Sequence, residues 1–180
     1  MRDIVPGAAR IAILTLRVPD TLSDQNRQPE RLLLGEMQAA AQQMGIGLVA
    51  RAIANADELP DAFAQFRREQ AQAVFVQVNP LTLQNRPKLT ELAARQRLPA
   101  MYEIRNFVDE GGLVFYGPDL QDMYRRAARH VDRIFKGAKP GELAIEQPTK
   151  LELVINMRAA KALGLTIPRS LLLRADDVIG

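Results

Sequence analysis

Short apolar runs alternate along this chain with longer stretches of helical period, and that alternation limits the folds open to it. Residues 10–16 (RIAILTL), 47–53 (GLVARAI), 73–78 (AVFVQV), 98–102 (LPAMY) and 113–116 (LVFY) are the apolar runs. Between them, apolar residues fall three and four apart: 33, 34, 37, 40, 41 and 44; then Leu59, Ala62, Phe63 and Phe66; then Leu83, Leu89, Leu92 and Ala93. Strand side chains alternate between faces with period two, whereas a helix presents one face every 3.6 residues. The pattern therefore predicts strands over the short runs and helices over 30–44, 58–70 and 82–97, after a polar loop at 20–29. Gly45 is placed to end the first helix and Asp57 to cap the second. Strands alternating with helices predict an α/β fold: a three-layer, Rossmann-like parallel sheet with helices on both faces. In such sheets ligands bind outside the carboxyl ends of the strands. Here those ends are Arg17, Asn79, Tyr102-Glu103 and Tyr116-Gly117.

After Gly117 the pattern changes. Residues 119–136 carry apolar side chains at 120, 123, 124, 127, 128, 131, 134 and 135, one face of a long helix, with Asp119 as N-cap and Gly137 as terminator. A loop, GAKPGEL, follows. The chain then closes with a strand-like run at 151–155, a helix-like run ending at Gly164, and a short tail. This divides the 180 residues into a lobe over 1–117, an excursion over 118–142 and a returning strand and helix over 143–180.

Composition removes several function classes. There is no cysteine, so disulfides, zinc–thiolate sites and cysteine nucleophiles are excluded. His130 is the single histidine, set among Arg126, Arg129 and Arg133 on a helix face, and no carboxylates cluster beside it. No metal site, cofactor or catalytic residue is expected, and the chain does not read as an enzyme. A net charge of +3, with basic residues spread along the chain, three Tyr, six Phe and no Trp, gives neither the basic footprint nor the stacking platform of a nucleic-acid binder. Met44-Gly45-Ile46-Gly47 precedes a strand, whereas a dinucleotide loop follows one. No apolar run approaches the ~20 residues that span a membrane, and the N-terminus as written has no signal peptide.

The carboxyl end carries a specific resemblance. "KGAKP", "EQPTKLELVIN", "AKALGLTIP" and "SLLLRADDVI", with "LAARQRLPAMYEIRNFVDEGGLVFYGPDL" and "IVPGAARIAIL" upstream, resemble ABC-transporter substrate-binding proteins of type I periplasmic binding fold. The family is the one that includes tryptophan or amino-acid binding proteins. The resemblance covers essentially the whole chain. It implies one lobe of a two-lobed protein, the second, with its ligand in the interlobe cleft, so this chain supplies about half a site. It implies a small-molecule ligand, an ABC permease as partner and a periplasmic location; the chain complete as written, lacking a signal peptide, implies a cytoplasmic one. It also implies that helix 119–136 packs on the first lobe. Without that lobe the helix is expected to dock on a neighbouring subunit, making a homo-oligomer, or to fold back on its own sheet. The alternative function is a non-transport oligomeric interaction domain.

The candidate ligand residues are those at the strand ends. Asn79 offers an amide where family members often carry an acid, or simply initiates an Asn-Pro turn. Tyr102, Glu103, Arg105 and Phe107 combine an aromatic wall with a carboxylate and a guanidinium, which suits an amino acid; the alternative is a plain helix start. Arg17 is placed to grip a carboxylate or to stand solvated in its loop. By analogy with the family, Tyr116-Gly117 sits at the interlobe hinge, where Gly117 absorbs rotation as the lobes close. Gly111-Gly112 reads as a turn.

Overall fold

A computed structural model describes residues 1–180 except 20 and 22, with the backbone alone for 24–27 and 30. Seven strands form one sheet: β1 (Arg10–Leu16), β2 (Gly47–Ile53), β3 (Ala73–Val76), β4 (Ala100–Tyr102), β5 (Val114–Pro118), β6 (Leu151–Asn156) and β7 (Asp177–Ile179), in the spatial order β2-β1-β3-β4-β5-β6-β7. The first five run parallel, as expected. β6 pairs antiparallel with β5, and β7 parallel with β6. That reversal follows from the path of the chain. The excursion after β5 leaves and re-enters at the same end of the sheet, where Asp119 N–H donates to the Lys150 carbonyl at 3.1 Å. A strand re-entering there can only run back down beside β5, since a parallel partner needs a crossover to the far end.

The helices are α1 (Asp24–Gln43), α2 (Leu59–Arg68), α3 (Pro80–Gln84), α4 (Arg86–Arg95), α5 (Asn106–Asp109), α6 (Leu120–Phe135), α7 (Met157–Leu163) and α8 (Arg169–Leu172). Three differ from the sequence expectation, each at a proline. α1 begins within the anticipated loop and holds Pro29 inside it. The expected cap Asp57 does not cap. Asn55 caps a 3₁₀ turn by accepting from Asp57 N–H at 3.0 Å, and α2 follows with Pro60 in its first turn. The expected single helix over 82–97 is two, because Pro87 has no N–H to continue one ladder and instead opens α4. As expected, Gly164 ends α7 in the left-handed conformation, at φ 72°.

Alternate residues of β1, β3 and β4 place Ala12, Leu14, Val74, Val76, Ala100 and Tyr102 on one face. There they pack with Leu59, Phe63 and Phe66 of α2 and Leu89 and Ala93 of α4. On the opposite face Met101 and Val114 pack with Ile4 of the N-terminal segment and Leu171 of α8. Thus β6, α7 and α8, late in the sequence, complete the core.

α6 stands apart. Asp119 caps it, accepting from Asp122 N–H at 3.0 Å, yet none of its residues is buried. Leu120, Met123, Tyr124, Val131, Ile134 and Phe135 are exposed, Phe135 to 84%. The helix does not fold back onto its own sheet. It is tied to the returning segment by polar contacts: Lys150 to Asp119 at 2.8 Å and Arg126 to Thr149 at 2.8 Å. Among the described residues no helix is long and apolar enough to cross a membrane, and no group of three or more His, Asp or Glu is placed to hold a metal.

Candidate functional site at the carboxyl edge of the sheet

The order β2-β1-β3-β4-β5 reverses direction between β1 and β3, and such switch points are where open α/β sheets bind ligands. Arg17 and Asn79 flank this one. Arg17 is held in place: its guanidinium reaches Glu58 at 2.7 Å and the Ala52 carbonyl at 3.1 Å. Glu58 lies below the usual carboxylate range, chiefly because the Ala54 N–H donates to it, with Arg17 adding to the effect. Glu58 was not singled out from the sequence. Its signal was an acid one turn beyond the end of β2, level with Arg17.

Asn79 is committed to the backbone. Its side chain accepts from Thr82 N–H at 3.0 Å and donates to the Gln77 carbonyl at 3.2 Å, while Thr82 Oγ1 accepts from the Asn79 N–H. This capping box fixes the turn after β3 and thereby aims Val78 N–H outward. That N–H donates to Glu103 Oε2 at 2.6 Å. Glu103, half-buried at the end of β4, is the partner the turn was built around. Burial raises its carboxyl above the usual range, against the lowering effect of the Val78 N–H. Among the described residues no cation pairs with it.

Tyr102 and Phe107 do not reach this rim. Both are fully buried, their rings stacked at 4.5 Å between centroids and 10° between planes. Strand alternation explains the difference: Tyr102 and Glu103 are adjacent, so a carboxylate on the rim sends the preceding ring inward. Arg105 is also drawn away. It pairs with Glu152 at 2.9 Å, with Asp177 at hydrogen-bonding range and with Asp109 at 3.5 Å, tying the end of β4 to β6 and β7; Asp177 is the main cause of its raised pKa. Tyr116, 45% exposed, lines a shallow hollow on the sheet face with Ile4, Met101 and Leu171. Gly117 is in the ladder opposite Glu152, and a Cβ there would lie 2.6 Å from the Glu103 carbonyl oxygen. Its smallness lets β5 pass close to the backbone of Glu103. The strand ends thus pair Arg17 with Glu58 and the Val78 N–H with Glu103, while Asn79 serves the turn between them and Tyr116 faces a separate hollow.

The sequence profile of the ABC transporter substrate binding protein family matches residues 3–179. The chain belongs to that family. A conserved domain protein from Vibrio cholerae O1 biovar El Tor is 21% identical with a TM-score of 0.84, over 98% of this chain and 57% of its own. An ABC domain from Streptococcus pneumonia in complex with L-Trp is 21% identical with a TM-score of 0.83, over 99% of this chain and 57% of its own. The ligand-free, open form of a substrate binding protein with adhesive properties from Clostridium difficile is 15% identical with a TM-score of 0.72, again over 99% and 57%. A search among curated proteins gave no match. The fold is one lobe of a type I periplasmic binding protein, and the chain spans 57% of the length of each of these structures.

Proposed function

We propose that this lobe of a substrate-binding protein forms one wall of a cleft that closes on an amino acid, delivering it to an ABC permease on the periplasmic side of a membrane. The observation that carries this reading is Glu103: a half-buried carboxylate at a strand's carboxyl end, oriented by Val78 N–H and with no cation beside it among the described residues. A buried carboxylate is costly until a positive group meets it, so it favours a ligand ammonium. Tyr116, on the neighbouring strand β5, offers a partly exposed ring for an apolar side chain. The L-Trp in the pneumococcal neighbour suits the same chemistry. Arg17, Asn79 and Arg105 then act as positioning residues, their polar groups already engaged with Glu58, the α3 turn and the β6–β7 edge.

The apolar face of α6 is the bed for a first lobe, and closure of two lobes would couple occupancy to recognition by the permease. A second reading, a homo-oligomer joined through the same helix without transport, draws on the same exposed face. Titration with L-tryptophan, followed by amide NMR shifts, separates the two. Shifts at Val78, Glu103 and Tyr116 that are absent with N-acetyl-tryptophan and in Glu103→Gln support the ligand reading. Shifts confined elsewhere, or equal for the acetylated compound, overturn it. With half the contacts, the affinity expected is weaker than about 1 mM, some 4 kcal/mol.

A further inference from the structure

On the opposite edge of the sheet, at the amino ends of β4 and β5, a cavity of about 410 Å³ opens between α4 and α7. Five alanines line it, Ala93 and Ala94 from α4, Ala100 from β4, and Ala159 and Ala162 from α7. Packed helices ordinarily interdigitate larger side chains, so short ones facing each other leave room. The cavity is large enough for a small ligand. Its wall also holds polar groups whose hydrogen-bonding capacity is unmet. Tyr102 lines it, is fully buried, and its hydroxyl has no partner among the described residues, a condition rare for a buried polar atom. Asn156, buried in the same wall, caps α7 through Oδ1, but its amide nitrogen reaches the Val108 carbonyl only at 3.5 Å. Arg158, exposed on α7 and also lining the cavity, forms no ion pair among the described residues. Asp109, the carboxylate of the wall, is already beside Arg105 at 3.5 Å.

We propose that this cavity is a second small-molecule site, separate from the rim, that takes a compact apolar carboxylate. The alanines cover its hydrocarbon body, and its carboxylate accepts from Arg158 and from the Tyr102 hydroxyl. An apolar channel with a free guanidinium and an unmatched phenol selects for that combination and against an amine. The site faces away from the cleft edge, so its ligand and the cleft ligand bind without competing.

The test is an NMR titration of the 180-residue chain with hexanoate, against hexanol and hexylamine at equal concentration. Hexanoate is expected to shift the amides of Ala94, Gly112 and Ala159 and to leave Val78 and Glu103 unmoved, with hexanol and hexylamine each binding about tenfold more weakly. Arg158→Ala, an exposed change that leaves the core intact, is expected to weaken hexanoate about tenfold. Tyr102→Phe removes a hydroxyl without changing the ring and is expected to cost about threefold or more. Ala94→Leu is expected to fill the cavity and abolish binding. No shift with millimolar hexanoate, equal binding of hexylamine, or full affinity in Arg158→Ala overturns the proposal, whether or not Ala94→Leu folds.

Discussion

A methyl group at Gly117 would stand 2.6 Å from the Glu103 carbonyl oxygen and 2.8 Å from the Phe115 ring. The nearer atom belongs to backbone and cannot swing aside. Gly117→Ala is therefore expected to lose about 1–3 kcal/mol in urea unfolding, the range for overpacking a filled site; an unchanged midpoint would show that β4 and β5 separate easily. Glu103 gives a prediction of opposite sign. Its carboxyl is raised in the folded chain, so between the ordinary glutamate value and the raised one the folded state holds more protons than the unfolded. Stability then falls as pH rises through that window. Glu103→Gln keeps an acceptor for Val78 N–H and removes the charge. Its melting temperature should lie above that of the native chain at pH 7, with the gap closing as pH falls toward about 4, the usual carboxyl range. Equal melting curves at pH 7 would mean that burial does not strain this carboxylate. The sequence located Glu103 at a strand end from periodicity alone. The inward turn of Tyr102 and Phe107 was harder to read, because a three-residue strand has too few alternations to declare its faces. Arg105 was harder still, since its partners Glu152 and Asp177 lie 47 and 72 residues away.

At the scale of elements, legibility tracks how local the determining forces are. β1 and β2 appear at their expected bounds because each is a seven-residue apolar run. The division of 82–97 into α3 and α4 was written in Pro87 but masked by an apolar spacing that continues through it. The reversal of β6 is not local at all, as it depends on where the excursion rejoins the sheet. The β6–α7 junction tests this closing unit directly. Asn156 is buried, ends β6, and accepts from Ala159 N–H at 3.0 Å to cap α7. Asn156→Ala is expected to cost about 1–2 kcal/mol, at the upper end for a cap because the side chain is buried. Hydrogen exchange should place the loss in β6, α7 and β7 while β1 to β3 stay protected. Loss spread evenly over the sheet would instead make the late unit inseparable from the first five strands.

For the whole molecule the decisive feature is that α6 is well formed yet buries none of its residues. Its N-cap is satisfied and it is pinned at its base, so it has helical order without a packing surface. Soluble monomers rarely show contiguous apolar patches beyond roughly a few hundred Å². Covering one side chain of leucine or phenylalanine size is worth about 1.5–3 kcal/mol, and α6 presents six large apolar residues. The sequence made this face legible through its period. What covers it was not legible, because the answer lies beyond the residues that form the helix. In a solution of the 180-residue chain a second copy can supply that cover. Light scattering is expected to show concentration-dependent association, and a Met123→Glu, Val131→Glu pair should abolish it. These positions are not buried, so the core and the melting of the sheet should be unaffected. The first lobe of a family member, supplied in trans, should compete with self-association for the same face. A chain that stays monomeric at all concentrations would remove the apolar face as a driving force. Association that survives the double glutamate variant would move the contact to another surface, with Leu32 and Leu33 of α1 the next exposed apolar pair.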